Sequence, residues 1–196
     1  MKLEEVEKYI IHRFENEWNP AYEYHNLKHT MDVANSSENI AILEGISVRD
    51  TILLKTAAYL HDIGILVQYK EHEKYSVFVA QEILGDFEYT PLDIELVSGL
   101  IFSTKMPQVR GSNLQQIICD ADLDYLGRVD YFEISSNLRK EWSNLFNQDY
   151  TDIQWYMSQK KFLTEHVFLT SSSRKIRNEG KAQNIAKVQA LIDNLI

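Results

Sequence analysis

"TILLKTAAYLHDIGI", residues 51–65, is apolar on nearly every face of a helix until its last turn, where His61 and Asp62 stand side by side. A helix without a polar stripe must be covered on all sides, so this segment predicts the middle of a helical bundle. Ser47, with Asp50 three residues later, resembles a capping box and marks its start. Upstream, residues 27–43 predict a helix with Asn26 as N-cap and Gly45 just past its end. Earlier still, Leu3, Val6, Ile10 and Phe14 recur at three- and four-residue spacing, which predicts an amphipathic helix over 2–18 that Pro20 helps to end.

Downstream, residues 71–84 read as a helix ending at Gly85, and Thr90-Pro91 supplies a cap and an N1 proline for a helix from 92 to 103. "STKMPQVRGSN" (103–113) reads as a loop. "LQQIICDADLDYLG" (114–127) predicts a helix closed by Gly127, with further helices near 129–147, 150–168 and 172–194. No stretch alternates with period two between hairpin turns, so the fold class is all-α. With 196 residues, 44% hydrophobic, no internal repeat and no linker, one domain over 1–196 is expected.

Composition narrows the function classes. No apolar run approaches the roughly 20 residues that span a bilayer, and the amino terminus lacks a signal-peptide core, so a cytoplasmic protein without a membrane partner is expected. Cys119 is the single cysteine, which excludes an intramolecular disulfide and reads as a small buried residue. A formal charge of −9 argues against a nucleic-acid partner. The segment from Thr170 onward is an exception, with five basic residues against two acidic ones. It reads most simply as a solvated face, although a basic end also suits a phosphate.

The chemistry starts at "YLHDIG" (59–64). Unpaired polar groups at the end of so apolar a helix would cost about 2–7 kcal/mol each, so something must satisfy them. Alone, the pair reads as a C-terminal histidine meeting the helix dipole and an aspartate capping the turn into Gly64. "CDADLD" (119–124) adds Asp120, Asp122 and Asp124 to an otherwise apolar segment. In a continuous helix Asp120 and Asp124 share a face, about 6 Å apart along the axis, while Asp122 points elsewhere. A buried helix of this kind should carry at least one of those faces to a cation or a basic partner. Two imidazoles with two carboxylates suit Mn²⁺, Fe²⁺, Co²⁺, Ni²⁺ or Zn²⁺ better than Ca²⁺.

The order His29, His61-Asp62, Asp122 resembles the HD-domain superfamily of metal-dependent phosphohydrolases, over about residues 24–128, with residues 129–196 as following helices. The resemblance implies a bundle of the HD-domain type and a divalent metal ion, Mg²⁺ included, on His29, His61, Asp62 and Asp122. Asp122 fits because "AD" followed by an apolar residue is the family's form for the fourth ligand; Asp120 is the alternative. "YHNLKHTMDV" (24–33) is similar to the signature of cyclic-nucleotide phosphodiesterases, which implies that His25 protonates the leaving oxygen. The competing reading of His25 and His29 as joint ligands in an HExxH helix lacks that motif's glutamate.

"EHEKYS" (71–76) also resembles the superfamily, making His72 a candidate for a second metal or a phosphate oxygen and Glu73 a candidate to orient the attacking water. "LIFSTKMPQ" and "FLTEHVFLTSSSRKIRNEGK" resemble segments of stand-alone bacterial HD proteins, which makes Lys105, Arg174 and Arg177 candidate phosphate contacts; as isolated residues they read as solvated charge. His166, among Phe162, Leu163, Phe168 and Leu169, reads as a packing histidine, and Tyr24 and Tyr125 as packing residues able to line a cleft. The implied activity is hydrolysis of a phosphate ester by metal-bound hydroxide, the substrate a nucleotide or cyclic nucleotide phosphodiester. Asp62 would take part in catalysis as well as metal binding. No "GYP" triplet follows the HD pair, which speaks against the cyclic-di-GMP branch. A nucleotide phosphomonoesterase, a di-iron HD oxygenase and a non-catalytic regulatory HD module are the alternatives, and a homodimer is the default assembly.

Overall fold

The computed structural model describes residues 1–108 and 111–196, so part of the loop expected over 103–113 lies outside the described residues. Among the described residues there is helix and no strand, as the all-α reading requires. The helices are α1 (Leu3–Glu17), α2 (Leu27–Leu43), α3 (Val48–Leu60), α4 (His72–Ile83), α5 (Pro91–Ser103), α6 (Asn113–Asp122), α7 (Tyr131–Phe146), α8 (Asp152–Glu165) and α9 (Ser171–Asp193). Short 3-10 turns, Ile63–Leu66 and Asp124–Gly127, follow α3 and α6.

The chain forms two compact units, one of residues 1–19 and 25–122, the other of 20–24 and 123–196. In the first, α3 contacts α1, α2, α4, α5 and α6. Its Leu53, Leu54, Ala57, Ala58 and Leu60 are fully buried. The continuous apolarity of this helix is thus matched by neighbours around it.

Local capping sets the ends of these helices. Asn26 accepts from the His29 amide at 3.0 Å and Ser47 from the Asp50 amide at 3.1 Å. Thr90 and Asp93 form a reciprocal capping box around Pro91, the first residue of α5. Arg49 reinforces the buried Asp93 carboxylate with an ion pair.

The second unit has its own core, in which Tyr24, Leu126, Tyr131, Leu163, Phe168 and Val188 are buried. Glu141, fully buried on α7, accepts from the Tyr24 amide at 2.8 Å and ties residues 20–24 to this unit. Gly127 and Gly180 let two backbones touch: a Cβ on Gly180 would lie 2.1 Å from the Gly127 carbonyl oxygen. Asn184 donates to the carbonyls of Leu126 and Arg128 at 3.0 and 2.8 Å.

One expectation fails here. The helix predicted over 114–127 stops at Asp122, so Asp120 and Asp124 do not share a helix face. Asp124 instead enters the 3-10 turn, where its buried carboxylate accepts from Arg177 Nε at 2.6 Å and Nη2 at 2.9 Å. Arg128 stands 3.5 Å away on the same carboxylate. A charge buried that deeply needs a partner of opposite sign, and breaking the helix after Asp122 allows Asp124 to find one.

Candidate metal centre

Three chain segments of the first unit meet at one point. His29 occupies the first turn of α2, where the Asn26 cap fixes the start of the helix. His61 terminates α3 and Asp62 leads into the 3-10 turn Ile63–Leu66. Asp122 is the last residue of α6, a helix that contacts both α2 and α3. His29 Nε2 lies 3.4 Å from Asp62 Oδ2 and 3.3 Å from Asp122 Oδ1. His61 Nε2 lies 3.0 and 3.5 Å from the same two oxygens.

A fourth segment brings His72, the first residue of α4, whose Nε2 is 3.2 Å from Asp62 Oδ1 and 3.8 Å from Glu73 Oε1. Gly64 makes this approach possible. A Cβ there would sit 2.1 Å from the His72 carbonyl oxygen and 2.5 Å from the Ser76 nitrogen, while the Gly64 amide donates to Ser76 Oγ at 2.9 Å. Asp62 therefore faces two groups of donors, one through each carboxylate oxygen.

The ring tautomers can be read from the backbone. His61 Nδ1 is 2.8 Å from the Ala58 carbonyl and His72 Nδ1 is 2.9 Å from the Tyr69 carbonyl. A carbonyl only accepts, so each Nδ1 carries the hydrogen and, in the neutral ring, each Nε2 turns a lone pair toward carboxylate oxygens. His61 Nε2 is buried and makes no well-directed hydrogen bond. Facing lone pairs repel unless a proton or a cation stands between them.

Without a cation the cluster neutralises itself with protons. Burial opposes the charged form of His61, but the adjacent Asp62 and the Asp122 carboxylate outweigh it and hold His61 well above its ordinary value. His29 is raised against burial by Asp122 and Asp62, and His72, against burial, to about 9 chiefly by Asp62. Burial works equally against ionised Asp62 and Asp122. The imidazoles nevertheless pull Asp62 well below the carboxylate range, His61 first, and bring Asp122 to about 2 through His29 and His61.

These residues fit a divalent metal. Among the described residues, the ligand atoms of His29, His61 and Asp122, and those of His25, Asp62 and His72, lie within 4.8 Å of one another in each group. Donor separations of 3.0–3.5 Å suit neighbouring ligands on one ion, which lie about 3 Å apart for bonds near 2.1 Å. Each backbone-held Nδ1–H orients its ring as the outer hydrogen bond of a metal-ligating histidine does.

A model of the HD domain family matches residues 26–124. The chain belongs to the HD domain family. The matched span holds His29, His61, Asp62, His72, Glu73 and Asp122 and begins one residue after His25. An uncharacterized protein of Clostridium beijerinckii (strain ATCC 51743 / NCIMB 8052) is 34% identical over 101 residues, 50% of this chain. The match covers 62% of that relative's length. Two solved structures are similar in fold throughout. One is a predicted HD superfamily hydrolase from an uncultured Thermotogales bacterium, with TM-score 0.64 and 21% identity over 99% of this chain and 93% of that one. The other is Bacillus subtilis YpgQ in complex with ADP, with TM-score 0.69 and 15% identity over 98% and 97%.

Other candidates stand in different settings within this HD-domain chain. Asp120 is buried but is not among the clustered donors. Lys105 Nζ is 3.6 Å from Glu71 Oε1 and 5.7 Å from the Phe102 ring centroid. Arg177 is held by Asp124, and Arg174 donates to the Phe168 and Leu169 carbonyls at 3.1 and 2.6 Å. Lys181 donates to the His166 carbonyl, so much of the basic end of the chain braces the α8–α9 connection. His166 stands edge-on to Phe168, ring centroids 4.6 Å apart, and Tyr24 and Tyr125 form an edge-to-face pair in the second unit. Burial raises the Cys119 thiol to about 12, as befits a packing residue.

Two residues escaped sequence reasoning. Gly64 read only as a turn, although a glycine closing an apolar run also signals close backbone approach. Tyr69, whose carbonyl orients His72, sits in an unpatterned connection and carries no sequence signal.

Proposed function

We propose that this chain is a metal-dependent phosphohydrolase acting on a nucleotide-like phosphate ester, with His29, His61, Asp62 and Asp122 holding a divalent cation. The observation that carries the reading is the meeting of two imidazole nitrogens and two carboxylates in a buried cluster with spacing suited to one ion. Asp62 and His72, with His25 beside them, would hold a second cation. When bound, the cation lowers the pKa of water and polarises a phosphoryl oxygen.

The residues of the chain divide the remaining work. Asp62 bridges the two donor groups and keeps them at one separation. His25, its ring centroid 5.1 Å from that of His72 and 6.2 Å from that of His29, stands where a proton can be delivered to a departing oxygen. An imidazole is the side chain most often used for general acid catalysis, a role typically worth about 10²–10⁴ in rate. Glu73, at the edge of the cluster, orients the attacking water. Lys105 supplies a cation for a substrate phosphate when it leaves Glu71. The ADP carried by the YpgQ structure favours a nucleotide as the substrate class.

The test is elemental analysis of wild type and His61→Ala, with hydrolysis of bis-p-nitrophenyl phosphate and p-nitrophenyl phosphate under added Mn²⁺. The expected result is near-stoichiometric metal that the mutant loses, together with metal-dependent nitrophenol release. The preferred ester separates diesterase from monoesterase. Bound iron with oxygen uptake and no ester hydrolysis would mean an oxygenase, and metal that changes only stability would mean a regulatory module.

A further inference from the structure

The rings of His72, Tyr69 and His29 stand beside His25. The His72 imidazole has its centroid 5.1 Å away at 60°, the Tyr69 phenol 5.7 Å away at 90°, and the His29 imidazole 6.2 Å away at 84°. His72 is anchored through Nδ1 and His29 is a ligand candidate in the first turn of α2. The ring of Tyr69, a half-buried residue, has no assigned role.

The segment that carries Tyr69 is braced. The Val67 and Gln68 amides both donate to the Gly64 carbonyl at 2.9 Å. Gln68 Nε2 donates to the Lys70 carbonyl at 2.9 Å, and Tyr75 Oη donates to Gln68 Oε1 at 3.3 Å. The chain then turns through left-handed Glu71, φ 61°, into α4. Tyr69 therefore offers its ring to His25 from a fixed backbone, in the edge-to-face arrangement aromatic pairs prefer.

We propose that Tyr69 is a positioning residue for His25. Its ring forms a wall that confines the imidazole to the orientation facing the donors around Asp62, while its main-chain carbonyl sets the tautomer of His72. One residue thus orients two imidazoles by independent means. The proposal rests on the reading of His25 as proton donor. An imidazole free to swing occupies the productive orientation only part of the time, and a 1 Å misplacement can cost about 100-fold in rate.

The contact with His25 is ring to ring, which separates the variants. Tyr69→Leu is expected to lower kcat on bis-p-nitrophenyl phosphate about tenfold or more, with KM and metal content little changed because the carbonyl to His72 is kept. Tyr69→Phe is expected to restore kcat. A wild-type kcat in Tyr69→Leu overturns the proposal, and so does a Tyr69→Phe variant as impaired as Tyr69→Leu, since the hydroxyl would then be the active part. A second readout needs no turnover: in metal-free protein with labelled histidines, nuclear Overhauser effects should connect the His25 ring to the ring of residue 69 in wild type and Tyr69→Phe. Their absence in wild type overturns the proposal. If wild type hydrolyses no ester, the phosphohydrolase reading fails, and these effects alone decide whether Tyr69 holds His25.

Discussion

Asp62 divides its carboxylate: Oδ2 lies 3.0 Å from His61 Nε2, and Oδ1 lies 3.2 Å from His72 Nε2. One side chain thereby joins a donor group built on α2, α3 and α6 to another built at the start of α4.

That division makes Asp62 and His72 unequal under substitution. Asp62→Ala should abolish metal binding, whereas His72→Ala should remove only the part of the metal that lies on its side. Elemental analysis of the two variants beside wild type checks this.

Protons compete with the metal at His72. With its pKa held at about 9, the ring is an imidazolium at neutral pH and must lose that proton to ligate. Apparent metal affinity should rise with pH and flatten near 9, with proton release visible by calorimetry in two buffers of different ionisation enthalpy. The metal-free protein should behave in the opposite sense. A raised pKa stabilises the fold fully below the ordinary value of about 6.5, and that contribution disappears as pH rises through 9. Thermal melts of metal-free protein across that window would reveal the loss.

The two candidate aspartates of α6 should separate cleanly. Asp122→Asn should lose metal, because its Oδ1 stands 3.3 and 3.5 Å from the ligand nitrogens of His29 and His61. Asp120→Asn should keep the metal and change only stability. Equal metal loss in both variants would refute the assignment.

Gly64→Ala should damage both fold and site. Its Cβ would collide with backbone atoms of His72 and Ser76, and overpacking of this kind costs about 1–3 kcal/mol. Denaturant titration would show that loss, and the weakened metal binding of the folded fraction would show that α4 had moved away from Asp62.

Arg177→Ala tests the second unit. It takes the guanidinium away from the buried Asp124 carboxylate, which Arg128 meets only at 3.5 Å, and removal of one member of a buried ion pair costs about 3–5 kcal/mol. Partial exposure of Arg177 places the expected loss at the lower end, measurable by urea unfolding. Arg177→Lys should recover only part of it, because the guanidinium contacts both carboxylate oxygens.

Local rules made much of this protein legible from its residues. The caps at Asn26, Ser47 and Thr90 act within three residues, so the starts of α2, α3 and α5 could be read directly. The all-round apolarity of 51–60 announced a central helix, and the HD pair at its end announced a site, because buried polar groups require partners. Which partners they take was decided only in three dimensions. A continuous helix over 114–127 would have set Asp120 beside Asp124; the break after Asp122 gave Asp122 to the imidazoles and Asp124 to Arg177. The two-sided carboxylate of Asp62 and the ring of Tyr69 against His25 likewise depend on how closely Gly64 lets α4 approach. Capping and amphipathicity are properties of neighbours along the chain, whereas a ligand sphere depends on sub-ångström distances between segments that meet only after packing.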